Sequence, residues 1–126
     1  MAASTTRSLG LRAERLALDH LQAGGLTLIA RNFRCRVGEI DLIMRDEDCL
    51  VFVEVRYRKS SRFATACESV DRRKQRKLAA AAALFVGWHS RYRQYSMRFD
   101  VVALDGPSPD QIKLQWVRDA FRPGQF

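Results

Sequence analysis

One run of β-forming residues is almost wholly apolar, and it constrains the fold more than any other feature. Residues 50–57 read Leu-Val-Phe-Val-Glu-Val-Arg-Tyr, in which Glu54 is the one acid. A strand that is apolar on both sides has to be covered on both sides, as the central strands of α/β sheets are. The sequence therefore predicts an α/β domain with a mixed central sheet flanked by helices.

The segments around this run predict the remaining elements. Apolar residues recur with helical spacing in two places, and short β-rich runs separated by turn residues lie between and after them. The predicted order is αβββαβ with a small C-terminal addition. The predicted helices are 9–23 and 69–92, the predicted strands are 26–35, 39–44, 50–57, 97–104 and 112–117, and 1–6, 59–67 and 106–109 are predicted as tail, loop and turn.

Length and composition limit the class of protein. A chain of 126 residues, 47% of them apolar, can bury one core, so one domain spanning 1–126 is expected. No apolar run approaches the roughly 18–20 residues that cross a bilayer. The first ten residues lack the apolar block of a secretory signal, so a cytoplasmic protein without a membrane partner is expected. The three cysteines form no CxxC pair, which argues against zinc.

The net charge of +8 is concentrated in one part of the chain. Residues 56–77 hold nine basic and two acidic side chains. Such a cluster attracts nucleic acid through phosphate contacts and counterion release, although it also describes a surface that is merely well solvated. The residues predicted to contact nucleic acid are Arg58, Lys59, Arg62, Arg73, Lys74 and Lys77.

Two acids lie inside apolar β-rich sequence, where folding does not require them. Asp41 stands between Ile40 and Leu42, and Glu54 stands between Val53 and Val55. If the two runs form a hairpin with a four-residue loop, Asp41 lies opposite Glu54 and their Cβ atoms are about 4.5–5.5 Å apart. Two carboxylates at that distance repel each other. A bound Mg²⁺ relieves the repulsion and keeps coordination positions for water and phosphate oxygens. Buried ion pairs without a metal are the alternative.

Two further residues are candidates for the same site. Arg56 follows Glu54 by two positions, so it projects from the same face and could hold a phosphate. Glu14 lies at the margin of the first helix's apolar side, where it could support a metal or be an ordinary surface acid. The candidate catalytic residues are thus Glu14, Asp41, Glu54 and Arg56, with Asp41 and Glu54 as metal ligands.

The motifs at 38–43 and 50–56, Gly-Glu-Ile-Asp-Leu-Ile and Leu-Val-Phe-Val-Glu-Val-Arg, resemble those of the YraN family of small bacterial endonuclease-like proteins. The resemblance extends to Arg-Asn-Phe-Arg at 31–34, to Lys74 and Lys77-Leu78, and to Arg-Phe-Asp-Val-Val at 98–102. It covers roughly residues 9–105. The family is similar in fold to restriction endonucleases and archaeal Holliday-junction resolvases, the PD-(D/E)xK group.

The resemblance implies a Mg²⁺- or Mn²⁺-dependent endonuclease that acts on DNA, including branched or damaged DNA, and that pairs as a homodimer. Asp41 and Glu54 match the motif acids, Glu14 the helix-one glutamate and Arg56 the lysine position. The arginine is a departure, because it stays charged and cannot act as a base, so Lys59 or Lys74 would have to supply a movable ammonium. The alternatives are a DNA- or RNA-binding module of nuclease fold that does not cleave, and a protein-interaction scaffold.

Overall fold

The computed structural model describes residues 6–59, 70–108 and 110–122. It confirms the predicted order αβββαβ with one added strand. The elements are α1 (Thr6–Ala23), β1 (Thr27–Cys35), β2 (Gly38–Asp46), β3 (Cys49–Arg58), α2 (Arg72–Trp88), a 3₁₀ turn (Ser90–Tyr92), β4 (Ser96–Ser108) and β5 (Gln111–Phe121).

The five strands form one sheet in chain order, β1-β2-β3-β4-β5. Neighbouring strands are antiparallel except β3 and β4, which are parallel. A parallel pair needs a long crossover, and α2 lies in the segment that provides it. β3 is therefore the central strand, as its apolar sequence predicts.

Both faces of β3 are buried, each in a different hydrophobic layer. Val51 and Val53 pack on the α1 side, with Leu21 of the helix. Phe52, which is 1% exposed, packs on the α2 side with Phe85. This alternation matters for the site, because Glu54 and Phe52 lie on the same face and Glu54 is therefore directed toward α2.

Several predicted boundaries are wrong at helix ends. Thr6, assigned to the tail, is the first residue of α1, and residues 1–5 lie outside the described part of the chain. The second helix begins at Arg72 because the Asp71 carboxylate caps it by accepting the Lys74 N–H. It ends at Trp88, since the last predicted turn is 3₁₀ instead of α. Of the predicted loop 59–67, only Lys59 is described.

Two predicted turns also differ. The β2–β3 hairpin closes through a two-residue turn at Glu47 and Asp48 between the paired Asp46 and Cys49, with Glu47 at a φ of 53° as tight hairpins require. The predicted turn at 106–109 is wrong for residues 106–108, because β4 continues to Ser108 and the register shift between Asp105 and Ser108 accommodates Pro107, while residue 109 lies outside the described residues. Neither described helix is long and apolar enough to cross a membrane.

Candidate functional site

The β2–β3 register is the one predicted from the sequence, and it brings Asp41 next to Glu54. Leu42 pairs with Val53, the position directly before the two acids. One step further, the Val55 N–H donates to Asp41 Oδ2 at 2.8 Å, so a side chain takes the place of a backbone acceptor. The carboxyl groups of Asp41 and Glu54 hydrogen-bond each other.

Glu54 is a buried acid whose surroundings oppose its ionisation. Its side chain is 6% exposed. Burial, then the charge of Asp41 and the hydrogen bond with it, raise the pKa of Glu54 to about 8, against the opposing charges of Lys74 and Arg56. The group therefore holds a proton at neutral pH unless positive charge is added to the site.

Two cations contact the same oxygen of Glu54. Arg56 Nη2 and Lys74 Nζ each lie 3.4 Å from Glu54 Oε2. Lys74 comes from the first turn of α2 and Arg56 from β3, so the crossover brings them together. Arg56 Nε is buried with no hydrogen-bond partner in the described part of the chain. The structure thus places Lys74, which the sequence assigned to nucleic-acid binding, beside the acids.

Glu14 lies on α1, on the other side of Asp41. Burial and the charge of Asp41 raise the pKa of Glu14, while a side-chain hydrogen bond with Asn32 lowers it. Glu14 Oε1 is buried and has no partner among the described residues. An open cavity of about 300 Å³ adjoins it, lined by Gly10, Leu11, Glu14, Asn32, Arg34 and Glu39.

The donor set fits a hard divalent cation held by few protein ligands. Within 6–59, 70–108 and 110–122, no three His, Cys, Asp or Glu side chains converge on one position. Asp41 and Glu54 offer adjacent carboxyl groups, of which that of Glu54 is buried and that of Asp41 partly buried. Mg²⁺ commonly uses one or two carboxylates and completes its shell with water and substrate phosphate oxygens. Asp41 and Glu54 suit that role, whereas Glu14 does not converge with them on one position.

The predicted nucleic-acid contacts lie mostly on the surface around this site. Arg58, Lys59, Arg73 and Lys77 are exposed, whereas Lys74 is partly buried against Glu54. Arg62 lies outside the described residues. α2 crosses close over the start of β2, since a Cβ added at Gly38 would lie 3.6 Å from Lys77 Cβ. The basic turns of α2 therefore border the two acids.

Sequence reasoning missed two groups of this site, the Val55 N–H and Asn32. A backbone donor leaves no signal in the sequence. Asn32 belongs to a motif that carries the family resemblance, but the motif gave it no role. Asn32 has a left-handed backbone, with a φ of 50°. Asparagine is enriched at such positions, which is the one signal that could have singled it out.

A protein-family model described as "Uncharacterised protein family UPF0102" matches residues 13–104. The chain is 52% identical over 119 residues to a UPF0102 protein of Stutzerimonas stutzeri, covering 94% of this chain and 98% of the relative. It is 49% identical over 121 residues to a UPF0102 protein of Pseudomonas putida, covering 96% and 98%. These matches confirm the resemblance to the YraN family, which is UPF0102.

Proposed function

The chain belongs to the uncharacterised protein family UPF0102, and for this member we propose a metal-dependent endonuclease that hydrolyses phosphodiester bonds of DNA in the cytoplasm. The observation that carries the proposal is the contact between the partly buried carboxyl group of Asp41 and the buried one of Glu54, beside two cations. Folding alone does not need two acids in such a place, because each is costly to bury.

The acids would hold a Mg²⁺ or Mn²⁺ ion. When bound, such an ion supplies an acidified water and neutralises charge on the phosphodiester. The raised pKa of Glu54 supports this assignment, because the pair lacks enough positive charge to ionise fully. The Val55 N–H orients Asp41 by fixing one of its carboxylate oxygens, Oδ2, and the carboxyl groups of Asp41 and Glu54 would together hold the ion.

Arg56 and Lys74 would share the role that a lysine on β3 has in similar nucleases. The planar guanidinium of Arg56 presents a fixed fork of donors, so it suits a phosphate oxygen. Lys74 carries a compact, movable ammonium at the same oxygen of Glu54, so it suits the attacking water. The exposed Arg58, Lys59, Arg73 and Lys77 would follow the DNA backbone on either side.

Cleavage assays with Asp41→Asn test the proposal. The wild type is incubated with Mg²⁺ or Mn²⁺ and with duplex, single-stranded, nicked and four-way-junction DNA. We expect cleavage of at least one substrate, its loss with EDTA, and its loss in Asp41→Asn. Glu47→Gln, which removes an exposed acid at the hairpin turn, is the matched control and should cleave like the wild type. Absence of cleavage with every metal and substrate would exclude the enzyme.

A binding module without cleavage is the second candidate. Arg56 favours it, because an arginine replaces the lysine of the similar nucleases and cannot act as a base. This candidate expects tight, salt-dependent DNA or RNA binding that is unchanged in Asp41→Asn. Electrophoretic mobility shifts with Ca²⁺, measured on the cleavage substrates, separate the candidates. Sedimentation of the same complexes tests the expected homodimer.

A further inference from the structure

Along the β1–β2 strand pair, the alternation of side chains between the two faces of the sheet reverses at one position. Arg31 pairs with Leu42 and Phe33 pairs with Ile40, so the register is continuous. In a regular strand, residues two apart point to the same face. Leu42 nevertheless packs in the α1 layer and Ile40 in the α2 layer.

Asn32 and Asp41 lie between these two pairs. Asn32 has a φ of 50°, in the left-handed region that most side chains avoid. A left-handed residue in one strand of a pair bends it and redirects the next side chain, as in a bulge. The reversal is therefore centred on Asn32, and Phe33 after it is directed into the α2 layer, where it packs on Phe85.

The reversal places Asp41 between the two layers. Glu54 approaches it from the α2 side and hydrogen-bonds it, while Glu14 approaches from α1 on the opposite side. In a regular strand, the Asp41 side chain would belong to one face and could meet only one of these acids. The Asn32 side chain lies beside Glu14, since both line the same cavity and the Asn32 amide acts to lower the pKa of Glu14. Asn32 thus acts on the acids through its backbone and through its amide.

We propose that Asn32 is a positioning residue of the proposed active site: its left-handed backbone places Asp41 between Glu14 and Glu54, and its amide orients the Glu14 carboxyl beside Asp41. The inference rests on the proposed function and deepens it. Glycine would adopt the left-handed backbone conformation but lacks the side-chain amide. Alanine lacks the amide and also disfavours that conformation. Asparagine is among the few residues that supply both.

Substitutions of Asn32 separate the two contributions. Asn32→Gly keeps the backbone, so its thermal midpoint should stay within a few degrees of the wild type. It loses the amide, so Mn²⁺ binding by calorimetry should weaken about 10-fold, as loss of groups that orient metal ligands does. Asn32→Ala should lower both the thermal midpoint and the Mn²⁺ affinity. Glu47→Gly, at a second left-handed position remote from the acids, is the matched control and should bind Mn²⁺ like the wild type.

DNA cleavage supplies the second readout. In Asn32→Gly, kcat should fall about 10-fold or more with KM for DNA nearly unchanged, because the basic surface is intact. Unchanged Mn²⁺ affinity and kcat in Asn32→Gly, with a wild type that binds Mn²⁺ and cleaves, would overturn the inference and leave the proposed function standing. A wild type that neither binds Mn²⁺ nor cleaves would overturn both.

Discussion

The carboxyl group of Glu54 hydrogen-bonds that of Asp41 from the neighbouring strand, inside a sheet whose other inward side chains on these strands are mainly apolar. The contact is stable only while a proton or a cation compensates the second negative charge. Lys74 and Arg56 compensate part of it. The stability of the fold and the chemistry of the site are therefore linked through one carboxyl group.

The first prediction concerns pH. Because the folded pKa of Glu54, about 8, lies above its unfolded value, the folded state binds more protons and unfolding free energy falls as pH rises between them. The loss attributable to Glu54 from pH 5 to pH 8 is up to about 4 kcal/mol, at about 1.4 kcal/mol per pH unit. In Glu54→Gln this part of the loss should vanish. Urea unfolding at several pH values measures it.

If the difference in unfolding free energy between the wild type and Glu54→Gln is constant from pH 5 to pH 8, this assignment is contradicted. Asp110→Asn is the matched control, since that acid pairs with Arg12 at the surface and is 79% exposed. Adding Mn²⁺ should stabilise the wild type more at pH 8 than at pH 5, because ionised Glu54 is the form that binds a cation. Glu54→Gln should lose that response.

The second prediction concerns Lys74. Lys74→Gln should lower kcat for DNA cleavage about 100-fold, the lower range for a group that assists proton transfer. Lys74→Arg should restore the positive charge but not a movable ammonium group, so it should restore little of the cleavage activity. Lys77→Gln, one turn further along α2 and exposed, controls for loss of charge from this helix. Equal losses in Lys74→Gln and Lys77→Gln would assign Lys74 to DNA binding alone.

The third prediction concerns the exposed basic residues at the start of α2. The double substitution Arg73→Gln and Lys77→Gln should weaken DNA binding at low salt. It should also reduce the slope of log K against log salt by about 1 for each phosphate that the variant no longer neutralises. Fluorescence anisotropy across a range of salt concentrations measures the slope. Arg15→Gln with Arg122→Gln removes the same charge from residues paired to acids elsewhere, and its slope should stay near that of the wild type.

The fourth prediction concerns Asp100, which is fully buried. It accepts hydrogen bonds from Arg98, from Trp116 Nε1 at 2.9 Å and from the Asp119 N–H at 2.9 Å. Asp100→Asn leaves these donors around a neutral amide, so it should destabilise the fold by about 2–4 kcal/mol. Urea unfolding measures the loss, and an effect below about 0.5 kcal/mol, the size expected for the exposed Asp110→Asn, would be inconsistent with it.

The sequence alone was sufficient for the fold class, because its signals are local and agree with one another. The apolar run around Phe52 predicts a central strand, and the two buried faces of β3 confirm it. The β2–β3 register follows from the same pattern, since a slip of one residue would turn every apolar side chain to the wrong face. The turn was wrong for residues 106–108 because an irregularity in the register accommodates Pro107 inside β4, and composition does not distinguish such an irregularity from a turn.

The sequence by itself thus determined two acids on adjacent strands, an arginine beside them and a basic helix. Tertiary structure decided which groups meet those acids. Lys74 reaches Glu54 only because the β3–α2–β4 crossover lays the start of α2 over the sheet. Glu14 approaches Asp41 from the opposite layer, where the strand pair reverses at Asn32. These contacts join residues far apart in the chain and depend on how layers pack, which no local pattern of residue types encodes.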